Sequence, residues 1–339
     1  MNFVFTDAAR SAIALKLAIA GPSNAGKTNS AHRLARGIAG PTGEVYVIDT
    51  ENRRSLQYAP PRGKPAKSPD TFRFKHTDLQ PPFNLDRYLA AHRACVEAGA
   101  AVVIIDSGSH VWDGEGGVQD EHDRKAELLH KKGVPEAAAK LISWQHKHDY
   151  KRDLQRWVRS LTVHTIWLLR AAPRVRFDEV VENGRKKTVV TPLGFQPICE
   201  SSFMFDMDAA FTLHPDAPGK INPDVGFYKV VTGLKPILRT GELVTEEMGG
   251  KVAAWASEGG ERDDRDRASE GAQALIDRVQ DAVSADDTKA ALAAILSDPG
   301  TIKQREWLRS KRPDLADTLE AAILSVERVI ASVDAADAA

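Results

Sequence analysis

Two glycines separated by four residues, followed at once by a lysine and a threonine, mark where this chain could do chemistry: Gly21-Pro22-Ser23-Asn24-Ala25-Gly26-Lys27-Thr28. Glycine at both ends lets the backbone close around an anion, so that loop N–H groups and the start of a following helix point at phosphate oxygens. A lysine there supplies a point charge for the β- and γ-phosphates of a nucleotide, and a threonine hydroxyl supplies a ligand for Mg²⁺. These eight residues and Asn29 are the candidate nucleotide contacts. A glycine-bearing turn before an ordinary helix is the competing reading. The apolar run at 13–20 and the helix-compatible segment at 29–38 instead give the strand, loop and helix context that the phosphate-loop pattern requires.

Two acids and an arginine could complete such a site. The run Val45-Tyr46-Val47-Ile48 leads into Asp49-Thr50-Glu51, which puts Glu51 just beyond a strand, where a carboxylate can orient water toward a γ-phosphate. A solvated acid at a strand end is the alternative. The run Val102-Val103-Ile104-Ile105 closes on Asp106, placed to hold a Mg²⁺-bound water beside Thr28. A further run, 163–170, ends in Arg170, a cation that could sense the γ-phosphate.

The elements that must position these residues follow from the order of the runs. Apolar stretches at 13–20, 44–49, 71–76, 101–106 and 163–170 alternate with helical patterns, which predicts an α/β fold with a mostly parallel sheet. Ligands in such sheets sit outside the carboxyl ends of the strands, where the candidate residues fall. The chain has 339 residues, 42% of them hydrophobic, enough for a sizeable core. With 46 Lys and Arg against 47 Asp and Glu, overall charge does not announce a nucleic-acid partner, so any basic surface must be local. No apolar run reaches membrane-spanning length and the start lacks a signal-peptide pattern, which predicts no membrane association. Cys95 and Cys199, without metal or redox spacing, read as ordinary buried thiols of a reducing compartment.

Local basicity peaks between Lys140 and Arg176, with nine Lys or Arg against two Asp, interspersed with Trp144, Tyr150, Trp157 and Trp167. Cations interleaved with aromatics suit single-stranded nucleic acid, and Lys147, Arg152, Arg156, Arg159, Arg174 and Arg176 are the candidate contacts. The competing reading is a solvated face of a helix spanning 143–161, with Tyr150 and Trp157 on its apolar side. His146 and His148 have no acid or cysteine at ligand spacing. Residues 175–190 read as a β-hairpin around Asn183-Gly184. Strands are predicted at 203–213 and 226–231, with 214–223 as the turn between them. Lys229, Lys235 and Arg239 in this half could reach the nucleotide of a neighbouring subunit. A charged segment, 258–268, reads as a linker, and apolar spacing beyond it predicts helices over 269–335.

Taken together these residues resemble the ATPase core of the RecA and RadA recombinases, and most closely the short phage-encoded RecA-like ATPases of single-strand annealing. Gly21-Pro22 to Thr28 is similar to the RecA phosphate loop, residues 47–51 to the strand ending in that family's catalytic glutamate, and 102–106 to its magnesium-side acid. Pro81-Pro82-Phe83, Ser109-His110, the glycines from Gly114 to Gly117, and Arg170 resemble further features of the phage group. Arg170 stands where RecA has a polar amide. Phe5-Thr6-Asp7-Ala8 is similar to the Phe-x-x-Ala tether of RadA-type subunits, within a tail at 1–12.

The resemblance spans roughly 13–255 and implies a RecA-like P-loop NTPase core over 13–257, with β-hairpin additions and a small C-terminal helical appendage. It implies ATP and Mg²⁺ as cofactors, DNA-stimulated ATP hydrolysis by Lys27, Glu51 and Arg170, and Thr28 and Asp106 on the metal. It further implies single-stranded DNA along the regions after Asp106 and after Arg170, a homo-oligomeric ring or filament, and a partner such as a single-stranded-DNA-binding protein. The expected activity is annealing or strand exchange in phage-type recombination, in the cytoplasm of a bacterial host. A DNA motor or loader of the same fold, or a nucleotide-gated protein-interaction module, are the rivals.

Overall fold

Continuous apolar runs become parallel strands when helices cover both faces of a sheet, and that is what this chain builds. The computed structural model describes residues 12–182, 185–258, 264–285 and 287–337. They fall into two compact units, one of Ile13–Glu258 and one containing the helices beyond it. The first unit contains β1 (Lys16–Gly21), α1 (Lys27–Ala39), β2 (Glu44–Asp49), β3 (Lys75–Asp78), α2 (Leu85–Glu97), β4 (Ala100–Asp106), α3 (His110–Asp113), α4 (Val118–Lys131) and α5 (Glu136–Arg159). It continues with β5 (His164–Glu182), β6 (Arg185–Pro197), β7 (Ala209–His214), β8 (Ala217–Ile221), β9 (Tyr228–Val230) and α6 (Glu246–Ser257).

The strand order is β3-β2-β4-β5-β1-β7-β8, with β6 on β5 and β9 on β7. The five pairings from β3 to β7 are parallel, and those of β6, β8 and β9 are antiparallel. This is the mostly parallel α/β core, with a β-hairpin addition and C-terminal helices, that the sequence predicts. Alternation along each strand sends Leu17, Ile19, Val102, Ile104, Ile166 and Leu168 to one face, packed with Leu34 of α1 and Val252 of α6. Ala18, Ala20, Val103, Ile105 and Trp167 go to the other, packed with Tyr88 of α2 and Trp157 of α5. A fully buried Ile or Leu contributes about 1.5–3 kcal/mol, so both layers hold the strand tips in place.

Several boundaries differ from expectation for local reasons. Residues 203–206 form a 3₁₀ turn rather than the start of a strand, because Glu200 accepts the N–H of Ser202 (2.7 Å) and both serine hydroxyls nearby while Phe203 and Met204 bury. The segment expected as a turn at 214–223 contains β8. The helix expected at 143–161 begins at Glu136.

β5 and β6 form a long antiparallel ribbon that runs on from the sheet, with a register shift at Arg174/Val175 opposite Gly194 (φ +68°). A residue in the left-handed region beside a register shift is the mark of a β-bulge. The Asn183-Gly184 turn expected at its tip lies outside the described residues, as do the Phe5–Ala8 tether and part of the 258–268 linker.

The second unit holds α7 (Asp264–Asp281), α8 (Thr288–Ser297), α9 (Pro299–Lys311) and α10 (Pro313–Asp337) around Leu275, Val279, Leu292, Leu308, Leu319 and Ile323. Asp287 and Asp298 cap α8 and α9 by accepting the N–H of Ala290 and Thr301. Arg305 and Glu320 pair through two guanidinium nitrogens. Among the described residues no helix is long and apolar enough to cross a membrane.

Candidate functional site

Parallel register lines up the strand tips that carry the candidate residues. Gly21 stands opposite Arg170, and Asp49 opposite Asp106, which stands opposite Leu168. A cleft of about 890 Å³ opens there, lined by the phosphate loop, Glu51, Arg54, Gln57, Tyr58, Asp106, Ser107, Arg170 and the residues after it. Lys27, Thr28, Glu51, Asp106 and Arg170 therefore share one wall system, as do Gly21 to Asn24 and Gly26. Ala25 is fully buried behind the loop, and Asn29 turns away, donating from Nδ2 to the carbonyl of Pro69 (2.9 Å).

The loop keeps its shape for two reasons. Gly26 takes φ +83° at the start of α1, a conformation open mainly to glycine, and a Cβ there would lie 2.9 Å from the Gly219 nitrogen. Gly219, itself at φ +77°, donates its N–H to the carbonyl of Ala25 (2.9 Å), so β8 braces the loop from behind. This brace left no pattern in the sequence. A five-residue strand of Ala-Pro-Gly-Lys-Ile carries turn formers rather than an apolar pattern.

Unlike α2 and α6, which Asn84 and Thr245 cap by accepting N–H groups, α1 has no side-chain cap. Its first N–H groups thus remain available to an anion in the cleft. Lys27 Nζ donates to the carbonyls of Gly21 (2.8 Å) and Pro22 (2.9 Å). Burial pushes its ammonium below the ordinary lysine value, while Asp106 and Glu51 pull it back up.

Thr28 Oγ1 donates to Asp106 Oδ2 at 2.9 Å. Burial raises the Asp106 carboxyl to about 7. The Thr28 hydroxyl and Lys27 oppose that rise, and Asp49 and Glu51 add to it. A buried carboxylate beside a hydroxyl suits a hard divalent cation that takes one or two protein oxygens and completes its shell with phosphate and water. Among the described residues no group of three or more His, Cys, Asp or Glu could hold a metal ion by itself.

Asp49, the last residue of β2, has a different task from Glu51. It is fully buried and accepts from the Glu51 N–H (2.8 Å), the Ser55 N–H (2.9 Å), the Ser55 hydroxyl and His76 Nε2 (3.2 Å). Those bonds fold the chain after β2 into a turn that swings Glu51 and then Arg54, Gln57 and Tyr58 onto the cleft. Spacing gave no hint of the last three, since a 3₁₀ turn of five residues leaves no periodic signal. Arg170 has its N–H bound by Ser109 Oγ (2.9 Å) and its guanidinium 3.9 Å from Asp113.

The basic stretch is arranged otherwise. Tyr150, Trp157 and Trp167 are buried, so of the four aromatics in the expected stacking surface only Trp144 is exposed. This corrects the expectation of interleaved stacking platforms: helical periodicity puts Tyr150 and Trp157 on the core side of α5. Lys147 lies over the Trp144 ring (4.1 Å to its centroid) and near Trp112. Arg152 pairs with Asp149 and Asp153, Arg156 with Asp153, Arg159 with Asp206 and Arg176 with Asp178. Arg174 is exposed on the ribbon.

Lys229, Lys235 and Arg239 do not line the cleft of their own chain. Lys229 Nζ is tied to the carbonyls of Phe205 and Met207, and Arg239 to Glu242 and the Pro236 carbonyl. Cys95 is buried and Cys199 partly so, both as free thiols. Burial raises them to about 11 and about 12, which leaves them unreactive at neutral pH.

No family model matches the sequence, and no curated protein matches it. Among solved structures the chain is similar to the crystal structure of the RadB recombinase, at 20% identity over 59% of this chain and 74% of that one, with a TM-score of 0.27. The fold rests on the strand order and the site on its own geometry.

Proposed function

We propose that the protein is a Mg²⁺-dependent ATPase of the RecA-like kind that binds single-stranded DNA and promotes annealing or strand exchange. The observation that carries this reading is the meeting of Lys27, Thr28, Glu51, Asp106 and Arg170, from four separate stretches of chain, on one cleft beside an uncapped helix start. In this reading the loop N–H groups and Lys27 hold the β- and γ-phosphates, and Thr28 and Asp106 hold Mg²⁺, which when bound neutralises phosphate charge. Glu51 orients the attacking water and accepts its proton, and Arg170 reads the γ-phosphate. Such a reaction needs positioning and charge stabilisation, and the cleft offers both.

Support for a nucleic-acid partner is the exposed cationic face of α5 and the ribbon, with Lys147, Arg152, Arg156, Arg159, Arg174 and Arg176 as contacts. We read 13–257 as the ATPase core and 269–335 as a helical appendage. The protein would work as a homo-oligomer in the cytoplasm, with Lys229, Lys235 or Arg239 reaching the nucleotide of the next subunit. Phosphate release measured with and without an oligonucleotide tests the reading. Lys27→Ala and Glu51→Gln should each lower turnover to a small residual rate, Glu51→Gln with ATP binding retained. Turnover left undiminished by both substitutions refutes it.

A further inference from the structure

Directly after β4 the chain turns through α3, and the first residue of that turn, His110, sits against the acid across the cleft rim. Its side chain is 14% exposed, stacked on Phe83 with ring centroids 5.0 Å apart. Gly114 closes the slot: a Cβ there would come within 2.8 Å of the Phe83 ring and 2.9 Å of His110 Cβ. The imidazole is thus held in one plane, with Nδ1 2.8 Å from Thr50 Oγ1 and Nε2 3.7 Å from Glu51 Oε1.

The hydrogen bonds around Thr50 decide which nitrogen carries the proton. Thr50 Oγ1 accepts the Ser107 N–H at 2.8 Å. Its own proton can go to the Ser107 carbonyl, 3.2 Å away, or to His110 Nδ1, 2.8 Å away. That carbonyl already receives the Tyr88 hydroxyl at 2.9 Å. A carbonyl oxygen can accept two hydrogen bonds, so the choice rests on length: the shorter contact assigns the threonine proton to Nδ1, which makes Nδ1 the acceptor and leaves the neutral ring's N–H on Nε2, on the side of Glu51.

We infer that His110 is a positioning residue for Glu51, its tautomer fixed by Thr50 so that Nε2–H is directed at one carboxylate oxygen while Arg54 faces the other. The Arg54 guanidinium lies 3.9 Å from Oε2, and the Glu51 backbone N–H is bound by Asp49, so the residue is fixed at its backbone and faced at both carboxylate oxygens. At 3.7 Å the His110 contact is longer than a hydrogen bond, so the inference requires the partly exposed Glu51 side chain to move closer. The same turn holds Arg170 through Ser109 and Asp113, so one short element braces both side chains.

This inference rests on the reading of Glu51 as the residue that orients water. The test compares His110→Phe, which keeps the stack on Phe83 but has no N–H, with His110→Gln, whose Nε2 stands the same number of bonds from the backbone. His110→Phe should lower kcat roughly tenfold to a hundredfold with KM and ATP affinity unchanged, His110→Gln should stay within roughly threefold of the parent, and Thr50→Val should fall between them. On a Glu51→Gln background, His110→Phe should cost nothing further, because its effect passes through the carboxylate. Full kcat in His110→Phe, an equal loss in His110→Gln, or an undiminished loss on the Glu51→Gln background overturns the inference. If Glu51→Gln alone retains turnover, the functional reading falls first. If Glu51→Gln is inactive while His110→Phe is fully active, only the role of His110 falls.

Discussion

The cleft at the strand tips and the cationic face of α5 and the β5–β6 ribbon manage charge in opposite ways. In the cleft, residues far apart in sequence are brought together and each is held by partners from other segments: Thr28 on Asp106, Asp49 on Glu51, Ser55 and His76, Thr50 on Ser107 and His110. On α5 the cations are neighbours in sequence, and Arg152 and Arg156 are exposed and paired within a turn of their own helix, with Asp149 and Asp153. Exposed pairs of that kind contribute little, typically up to about 1 kcal/mol. Charge that the fold has gathered and buried is committed to one geometry, whereas charge left on a solvated helix stays available to whatever approaches.

If that contrast holds, substitutions should sort by region. The largest effects belong to the cleft: Lys27→Ala or Glu51→Gln should lower ATP hydrolysis by about a hundredfold to ten-thousandfold, in a phosphate-release assay, with secondary structure unchanged by circular dichroism. Next come two buried histidines of the same unit. Burial lowers His32, packed against Phe72 and Phe74, to about 3, and His92 to about 4. The unfolded chain takes up those protons below about 6.5 while the folded chain does not. Stability should therefore fall as pH drops from about 6.5 toward 4, by up to ~1.4 kcal/mol per pH unit for each histidine. Urea midpoints across that window check this, and His32→Leu should flatten the slope.

Gly219→Ala should follow, at about 1–2 kcal/mol. The added Cβ meets Leu243 at 2.9 Å in a left-handed conformation. If the brace matters to the loop, ATP affinity should weaken along with thermal stability. The smallest effect belongs to the ribbon. Replacing Arg174 or Arg176 with Ala should leave stability and basal hydrolysis within error, and should reduce the salt dependence of oligonucleotide binding by about 0.7 per lost phosphate contact. A cation on the ribbon that destabilised the fold as much as Gly219→Ala would break the comparison.

What the sequence made legible follows the same division. The phosphate loop is contiguous, so its pattern survives in one dimension, and Glu51, Asp106 and Arg170 each close an apolar run whose direction sets where the tip lands. Asp49 carried the same signal as Glu51 but turns inward to organise the turn. Only the packing of Ser55 and His76 around it reveals that. Gly219, Tyr58 and His110 reach the site from short turns and an edge strand, where no periodicity exists to read. On α5 the composition advertised a stacking surface that the 3.6-residue period withdrew, by turning Tyr150 and Trp157 into the core.

The bulge at Arg174 and Val175 has a mechanical meaning. Pairing between β5 and β6 is regular on either side of it and broken only there, so stiffness is lowest at that point, and Gly194 supplies the torsional freedom. The ribbon's one break in pairing among the described residues thus lies four residues past Arg170, next to Ala171 and Ala172 of the cleft wall.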